Sequence, residues 1–176
     1  LDLSPDGLMN KHNWFRAESP VERSGDILVS FDPQWRDLLR DSSIGFVVRR
    51  RYPKVFLPRR MFVYICAPYS ELIGFCSIKK LRRINLREGL QILGQSGLTR
   101  EDLEAYFLGY EEIGCYSISH ISLFRTPLSL ESLRNQAGFS PPQSFVSLSR
   151  RASGWLDQIH SNKALHGGFN AQRNLT

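Results

Sequence analysis

The apolar positions of the chain fall into short runs separated by turn-rich breaks, and the period of each run predicts its element. Ile27 to Phe31 is a run of β-forming residues, and Asp32-Pro33 after it reads as a helix start, with Asp at the N-cap and Pro at the first helical position. The helix predicted over Pro33 to Arg40 carries Trp35, Leu38 and Leu39 at helical spacing. Ile44 to Arg51 alternates as a strand, with Phe46, Val48 and Arg50 on one face and Val47, Arg49 and Arg51 on the other. Tyr52 to Arg60 contains Pro53 and Pro58 and reads as a connecting loop. Strands are predicted over Met61 to Ala67, stopped by Pro68, and over Leu72 to Leu81, after a turn at Tyr69 and Ser70.

Two helices follow in the pattern, Asn85 to Leu93 and Thr99 to Leu108. The second opens with Thr99 and Asp102 in capping-box spacing and carries a Leu103, Tyr106, Phe107 stripe before Gly109 ends it. Ile113 to Phe124 alternates as one strand, and Pro127 to Gln136 reads as a short helix capped by Ser129. Phe139 to Leu148, with Pro141-Pro142, is extended; Arg151 to Lys163 is a final helix, after which Gly167-Gly168 opens a polar tail. Residues 1–26 have no sustained period and read as an N-terminal arm, so the expected organisation is arm 1–26, core domain 27–150, and C-terminal helix and tail 151–176. The order is neither alternating βαβ nor purely β. It predicts an α+β fold, a small mixed or antiparallel β-barrel with helices packed around it.

Composition narrows this picture without redirecting it. At 176 residues, 41% hydrophobic and 23% charged, the chain can bury one core unaided and is neither disordered nor built of membrane-spanning helices. Residue 1 is Leu, and the opening stretch lacks the basic start and apolar run of a secretory signal, which reads as a processed or truncated beginning. Cys66, Cys76 and Cys115 lie in strand-like apolar runs without CxxC spacing, as reduced core thiols do, and a cytoplasmic location follows as the expectation. His12, His120, His160 and His166 show no metal-ligand spacing, and no phosphate-cradling glycine motif occurs, so no metal or other cofactor is expected.

The net charge of +6 matters through its placement. Arg49-Arg50-Arg51, Lys54, Arg59 and Arg60 surround Tyr52, a mixture that suits phosphate forks and base stacking. Strand alternation sends neighbouring arginines to opposite faces, so a solvated strand end that keeps an edge soluble is the competing reading. Lys79, Lys80, Arg82, Arg83 and Arg87 form a second group, which widens the positive face if the sheet is antiparallel and is ordinary surface charge otherwise.

In order and spacing, the series Ile27 to Phe31, Trp35 to Asp41, Val47 to Lys54, Met61 to Pro68, Ile73-Gly74-Phe75, Leu98 to Asp102 with Tyr106-Phe107, Thr126-Pro127-Leu128 and Phe139 to Phe145 resembles the ASCH domain, a PUA-like small β-barrel. The resemblance implies a cleft beside the strand carrying the arginine run, and RNA, DNA or a modified nucleobase bound there. Some relatives are amidohydrolases acting on acetylated cytidine, and some are ribonucleases. The hydrolases carry Gly-x-Lys-Thr between the first helix and the second strand, with a Glu from a later strand. Here the stretch reads Asp41-Ser42-Ser43-Ile44-Gly45, without Lys or Thr, and a turn is its competing reading.

The sequence thus leads to a nucleic-acid-binding module. Arg49, Arg50, Arg51, Lys54, Arg59, Arg60, Lys79 and Lys80 are expected on phosphates, Tyr52, Tyr64 and His120 on bases, and Gln143 and Ser144 as cleft-lining donors. A modified-nucleoside hydrolase using Ser43, Lys79 or Glu71, or a ribonuclease, is the enzymatic alternative. A regulatory domain whose basic face meets an acidic protein is the other.

Overall fold

A computed structural model of the chain describes residues 13–167. Its strands are β1 (Arg23–Phe31), β2 (Phe46–Arg49), β3 (Arg60–Ile65), β4 (Glu71–Ile84), β5 (Ile113–Ile118), β6 (Ser122–Ser129) and β7 (Phe145–Ser149). The helices are α1 (Arg36–Arg40), α2 (Leu86–Gln91), α3 (Leu93–Ser96), α4 (Arg100–Phe107), α5 (Leu130–Ala137) and α6 (Arg150–Gly167). The strands form one mixed sheet in the order β2-β5-β4-β3-β1-β7, with β6 paired to β4 off that path. Among the described residues β1 and β3 run parallel and the other strand pairs are antiparallel.

The expected α+β class is what the chain adopts, but the barrel is not closed. Among the described residues no backbone ladder joins β2 to β7, and the two remain as ends of the sheet. The expected strand over Ile113 to Phe124 is two strands. β4 is long enough to serve both, pairing its Ile78–Ile84 half with β5 and its Glu71–Phe75 half with β6, and the break falls at Ser119, His120 and Ile121. β6 also absorbs Pro127, expected to start a helix. A proline's missing N–H is tolerated on a strand that pairs with one neighbour only, and the helix begins after Ser129, whose side chain accepts from the Ser132 N–H. The helix expected from Pro33 opens as a single 3₁₀ turn, Pro33–Trp35, before α1.

Alternation along the strands divides the interior into two layers. Ile27, Val29 and Phe31 of β1 and Met61, Val63 and Ile65 of β3 face one core with Ile73, Cys76 and Tyr116. Leu28, Phe62 and Tyr64 face the other, under α5 and α6. A smaller cluster, Val48, Ile84, Leu103, Phe107 and Ile113, seats α2 and α4. Burial raises the pKa of Cys76 to about 12 and of Cys115 to about 11, holding both thiols neutral.

Two packing details bear on the stretch before Ile27. β1 starts at Arg23, and Phe15 lies fully buried in the second core, edge-on to Phe139 at 4.9 Å. Ser149 N–H bonds to the Phe15 carbonyl, so the segment from Trp14 onward lies against β7. Residues 1–12, including His12, and the tail from Gly168 lie outside the described residues.

Candidate nucleic-acid interface

β2 is an edge strand, and its geometry follows from one ladder bond. Ile118 N–H donates to the Gly45 carbonyl, so along the antiparallel pair Val47 and Arg49 face β5, whereas the main-chain groups of Phe46 and Val48 face away from it. The Arg50 N–H, in the same outward phase, donates to the Tyr106 hydroxyl at 3.3 Å. Among the described residues, side chains and no backbone ladder span the gap between this edge and β1. Arg49 Nη2 donates to the Ser30 carbonyl at 3.1 Å with its guanidinium 4.4 Å over the Phe31 ring, and the Ser144 hydroxyl donates to the Arg51 carbonyl at 3.4 Å.

Beside that seam opens a cleft of about 230 Å³. Its walls are aromatic, from Phe31, Trp35, Phe46 and Tyr106; Ile44, Val47, Val48 and Leu98 add aliphatic surface, and Asp32, Gln34, Arg49 and Asp102 supply its charged and amide groups. The expected cleft beside the arginine strand therefore exists, but it opens toward α3 and α4 rather than toward Pro141. Flat rings with carboxylates suit a planar heterocycle carrying N–H donors better than a phosphate, which the carboxylates repel.

The arginine run is divided by what holds each side chain. Arg50 lies between the rings of Tyr106 (4.8 Å) and Tyr110 (4.9 Å) and donates to the carbonyls of Tyr106 (2.7 Å) and Ala105 (3.1 Å), where it caps the negative end of α4. Arg60 bonds Asp26, whose side chain is 0% exposed, and Asp157, each at 2.6 Å. Burial alone would lower the Arg60 pKa, but the two carboxylates outweigh it and raise it. Arg59 donates to the Ser24 carbonyl at 2.8 Å, with Asp26 at 3.6 Å. Arg50 and Arg60, expected on phosphates, are thus committed to the fold. Arg51 and Lys54 are exposed; the Arg51 side chain has no charged partner among the described residues, and the Lys54 ammonium lies 5.9 Å from the Tyr52 ring centre.

Tyr52 is fixed by a glycine. Its ring packs where a Cβ on Gly114 would overlap it, so the absence of a side chain at Gly114 in β5 lets the loop after β2 lie against the sheet. The loop faces the far end of β4 across an open groove of about 690 Å³ lined by Tyr52, Lys54, Leu81, Arg82 and Arg83. The two basic groups of the sequence meet here. Arg82 and Arg83 touch Glu88 (3.4 Å) and Glu112 (3.6 Å) in exposed pairs that a polyanion displaces at little cost. Lys79 and Lys80, exposed and without a partner among the described residues, precede them on β4.

Other expected residues are not gathered. Tyr64 is 1% exposed in the second core, 5.4 Å from Phe139, and reaches no base; β3 turns it to the face opposite Val63. His120 is exposed in the β5–β6 connection, and Gln143 is exposed ahead of β7. For the hydrolase alternative, Glu71 is taken up by Arg36 at 2.8 Å, and Ser42, at φ 53°, accepts from the Ile121 N–H as a turn residue. No hydrogen bond or ion pair joins Ser43, Lys79 and Glu71 among the described residues. Sequence reasoning missed the cleft walls because Trp35, Phe46 and Tyr106 read as core stripes, and their convergence depends on how α3 and α4 fold back on β2.

No family model matches the chain. It is 23% identical over 138 residues, covering 77% of its own length and 93% of the relative's, to an ASCH domain-containing ribonuclease of Zymomonas mobilis. The crystal structure of ASCH from Zymomonas mobilis superposes with a TM-score of 0.69 at 22% identity, over 76% of this chain and 94% of that one. A serine-to-alanine mutant of the same protein gives 0.70 at 21% identity, over 78% and 97%.

Proposed function

We propose that this chain, whose fold is that of the ASCH crystal structure, binds RNA along the groove between the Tyr52 loop and the end of β4, with an unpaired base seated in the cleft beside β2. The observation that carries the proposal is the meeting of Lys54, Arg82 and Arg83 around Tyr52, next to Arg51 and continuous along β4 with Lys79 and Lys80. These cations neutralise phosphates, whereas the acidic, aromatic cleft disfavours phosphate and favours a base edge. Phe31, Trp35, Phe46 and Tyr106 give that base its stacking surfaces.

Four to six neutralised phosphates on a single strand give log Kd against log salt a slope of about 3 to 4. Titration of labelled RNA and DNA oligonucleotides across a salt series tests this. A flat salt response, or no binding to RNA, sinks the proposal; equal affinity for DNA removes its RNA preference.

Cleavage of the bound RNA is the second reading, favoured by the printed name of the Zymomonas mobilis relative. In that chemistry the 2′-hydroxyl attacks the neighbouring phosphorus and gives up its proton to solvent, the phosphorus–5′-oxygen bond breaks as a proton is delivered to that oxygen, and a 2′,3′-cyclic phosphate remains. The Tyr52 hydroxyl and Lys54 ammonium are the groups of the groove able to move protons and stabilise the added negative charge. Cyclic-phosphate ends that appear with the wild type and vanish in Lys54→Ala support it; intact RNA after prolonged incubation at saturating protein refutes it. The free thiols of Cys66, Cys76 and Cys115 suit a reducing compartment such as the cytoplasm.

A further inference from the structure

We infer that the loop between β2 and β3 is a wedge that opens the base stack of bound RNA, with Val55 and Leu57 as the inserted side chains; the inference rests on RNA being the polyanion held in the adjoining groove. Val55 is 80% exposed and Leu57 62%, and both line that groove. Single exposed aliphatics are unremarkable, but these two are presented by a loop that is otherwise nailed down. Pro53 and Pro58 are buried, Tyr52 packs against Gly114, and Phe56, between the two tips, turns inward beneath the Arg23 guanidinium at 5.0 Å. At its far end the Arg59 N–H donates to the Gly25 carbonyl at 2.7 Å. The prolines restrict the unfolded loop, so little ordering remains to be done on binding.

A rigid pair of aliphatic tips flanked by cations matches a stacked polyanion. Lys54 precedes Val55 directly, and Arg82 and Arg83 line the opposite wall. Side chains of this kind enter a base step and unstack it, while the neighbouring phosphates stay neutralised. A bilayer is the less suitable partner, because an interfacial anchor needs a broad apolar face and here only two side chains project.

The test places 2-aminopurine at successive positions of a short RNA hairpin and of a single-stranded oligonucleotide, and adds wild-type protein or the double variant Val55→Ser, Leu57→Ser. The expected result is a severalfold fluorescence rise at one or two adjacent positions with the wild type. The variant should abolish the rise while keeping the wild-type melting temperature and the wild-type salt slope, which reports the cations alone. Binding without any rise, or a rise that survives in the variant, overturns the wedge and leaves RNA binding intact. Absence of RNA binding by the wild type overturns the RNA reading itself, and the wedge falls with it. Loss of binding to phosphatidylserine vesicles in the variant, without an RNA signal from the wild type, overturns the wedge in favour of a bilayer contact.

Discussion

Arg50 and Arg51 are adjacent in sequence and identical in chemistry, yet one is inside the architecture and the other outside it. Arg50 is held between two tyrosine rings and caps the last carbonyls of α4, whereas the Arg51 side chain is exposed and its carbonyl accepts from the Ser144 hydroxyl. The same division separates Arg60, locked to Asp26 and Asp157, from Lys54, which lies over Tyr52 at the groove. Counting basic residues therefore overstates a binding surface. What matters is which cations still have donors to give, and here those lie on the side where the Tyr52 loop meets β4.

Removing a partner of a tied cation should show the largest effect. Asp26→Ala strips a fully buried carboxylate from Arg60 and should lower stability by about 3–5 kcal/mol, read from urea unfolding, because the guanidinium is left half-buried with only Asp157. A loss below about 1 kcal/mol would place Arg60 among the free cations and break the comparison. Alkaline pH probes the interior without touching any arginine charge. The ordinary thiol value is 9.0, and burial raises Cys76 to about 12 and Cys115 to about 11. Between these values the unfolded chain releases protons that the folded chain keeps. Stability is accordingly complete below pH 9 and declines as pH rises through 11, by about 2–3 kcal/mol for Cys76. Urea midpoints at pH 8 and pH 10.5 measure the decline, and Cys76→Ala should reduce it, leaving the part that Cys115 contributes.

Arg50→Ala should cost about 1–2 kcal/mol through the uncapped end of α4 and leave the RNA salt slope unchanged. Arg51→Ala and Lys54→Ala should do the reverse. Each should shift stability by less than about 0.5 kcal/mol and reduce the slope by about 0.7 on single strands. A slope change in Arg50→Ala equal to that in Arg51→Ala would erase the distinction.

Local chemistry made much of the fold legible. Thr99 with Asp102, Ser129, and the apolar phase of β1 and β3 announce themselves over a few residues, and the structure uses each as its sequence neighbourhood suggests. The site was less legible because its decisive contacts are long-range. Asp157 meets Arg60 across 97 residues, and Tyr106 of α4 reaches Arg50 across 56. Tyr52 and Tyr64 look alike as candidates for stacking, but a glycine in β5 brings one to the groove and strand phase buries the other. The break of β5 from β6 escaped the alternating pattern because both pair with one continuous β4.

The parallel pairing of β1 with β3 has a consequence for how such a site can change. Parallel neighbours cannot be joined by a tight hairpin, so everything from Asp32 to Arg59 is one long crossover, and it contains α1, β2, most of the cleft wall and the wedge. A crossover tolerates rewriting, since doubling the length of a flexible connection adds only about 0.6 kcal/mol of closure entropy. The parallel pair β1–β3 thus acts as a fixed frame, and the segment strung between its ends is a cassette in which specificity can be exchanged while the layers beneath keep their register.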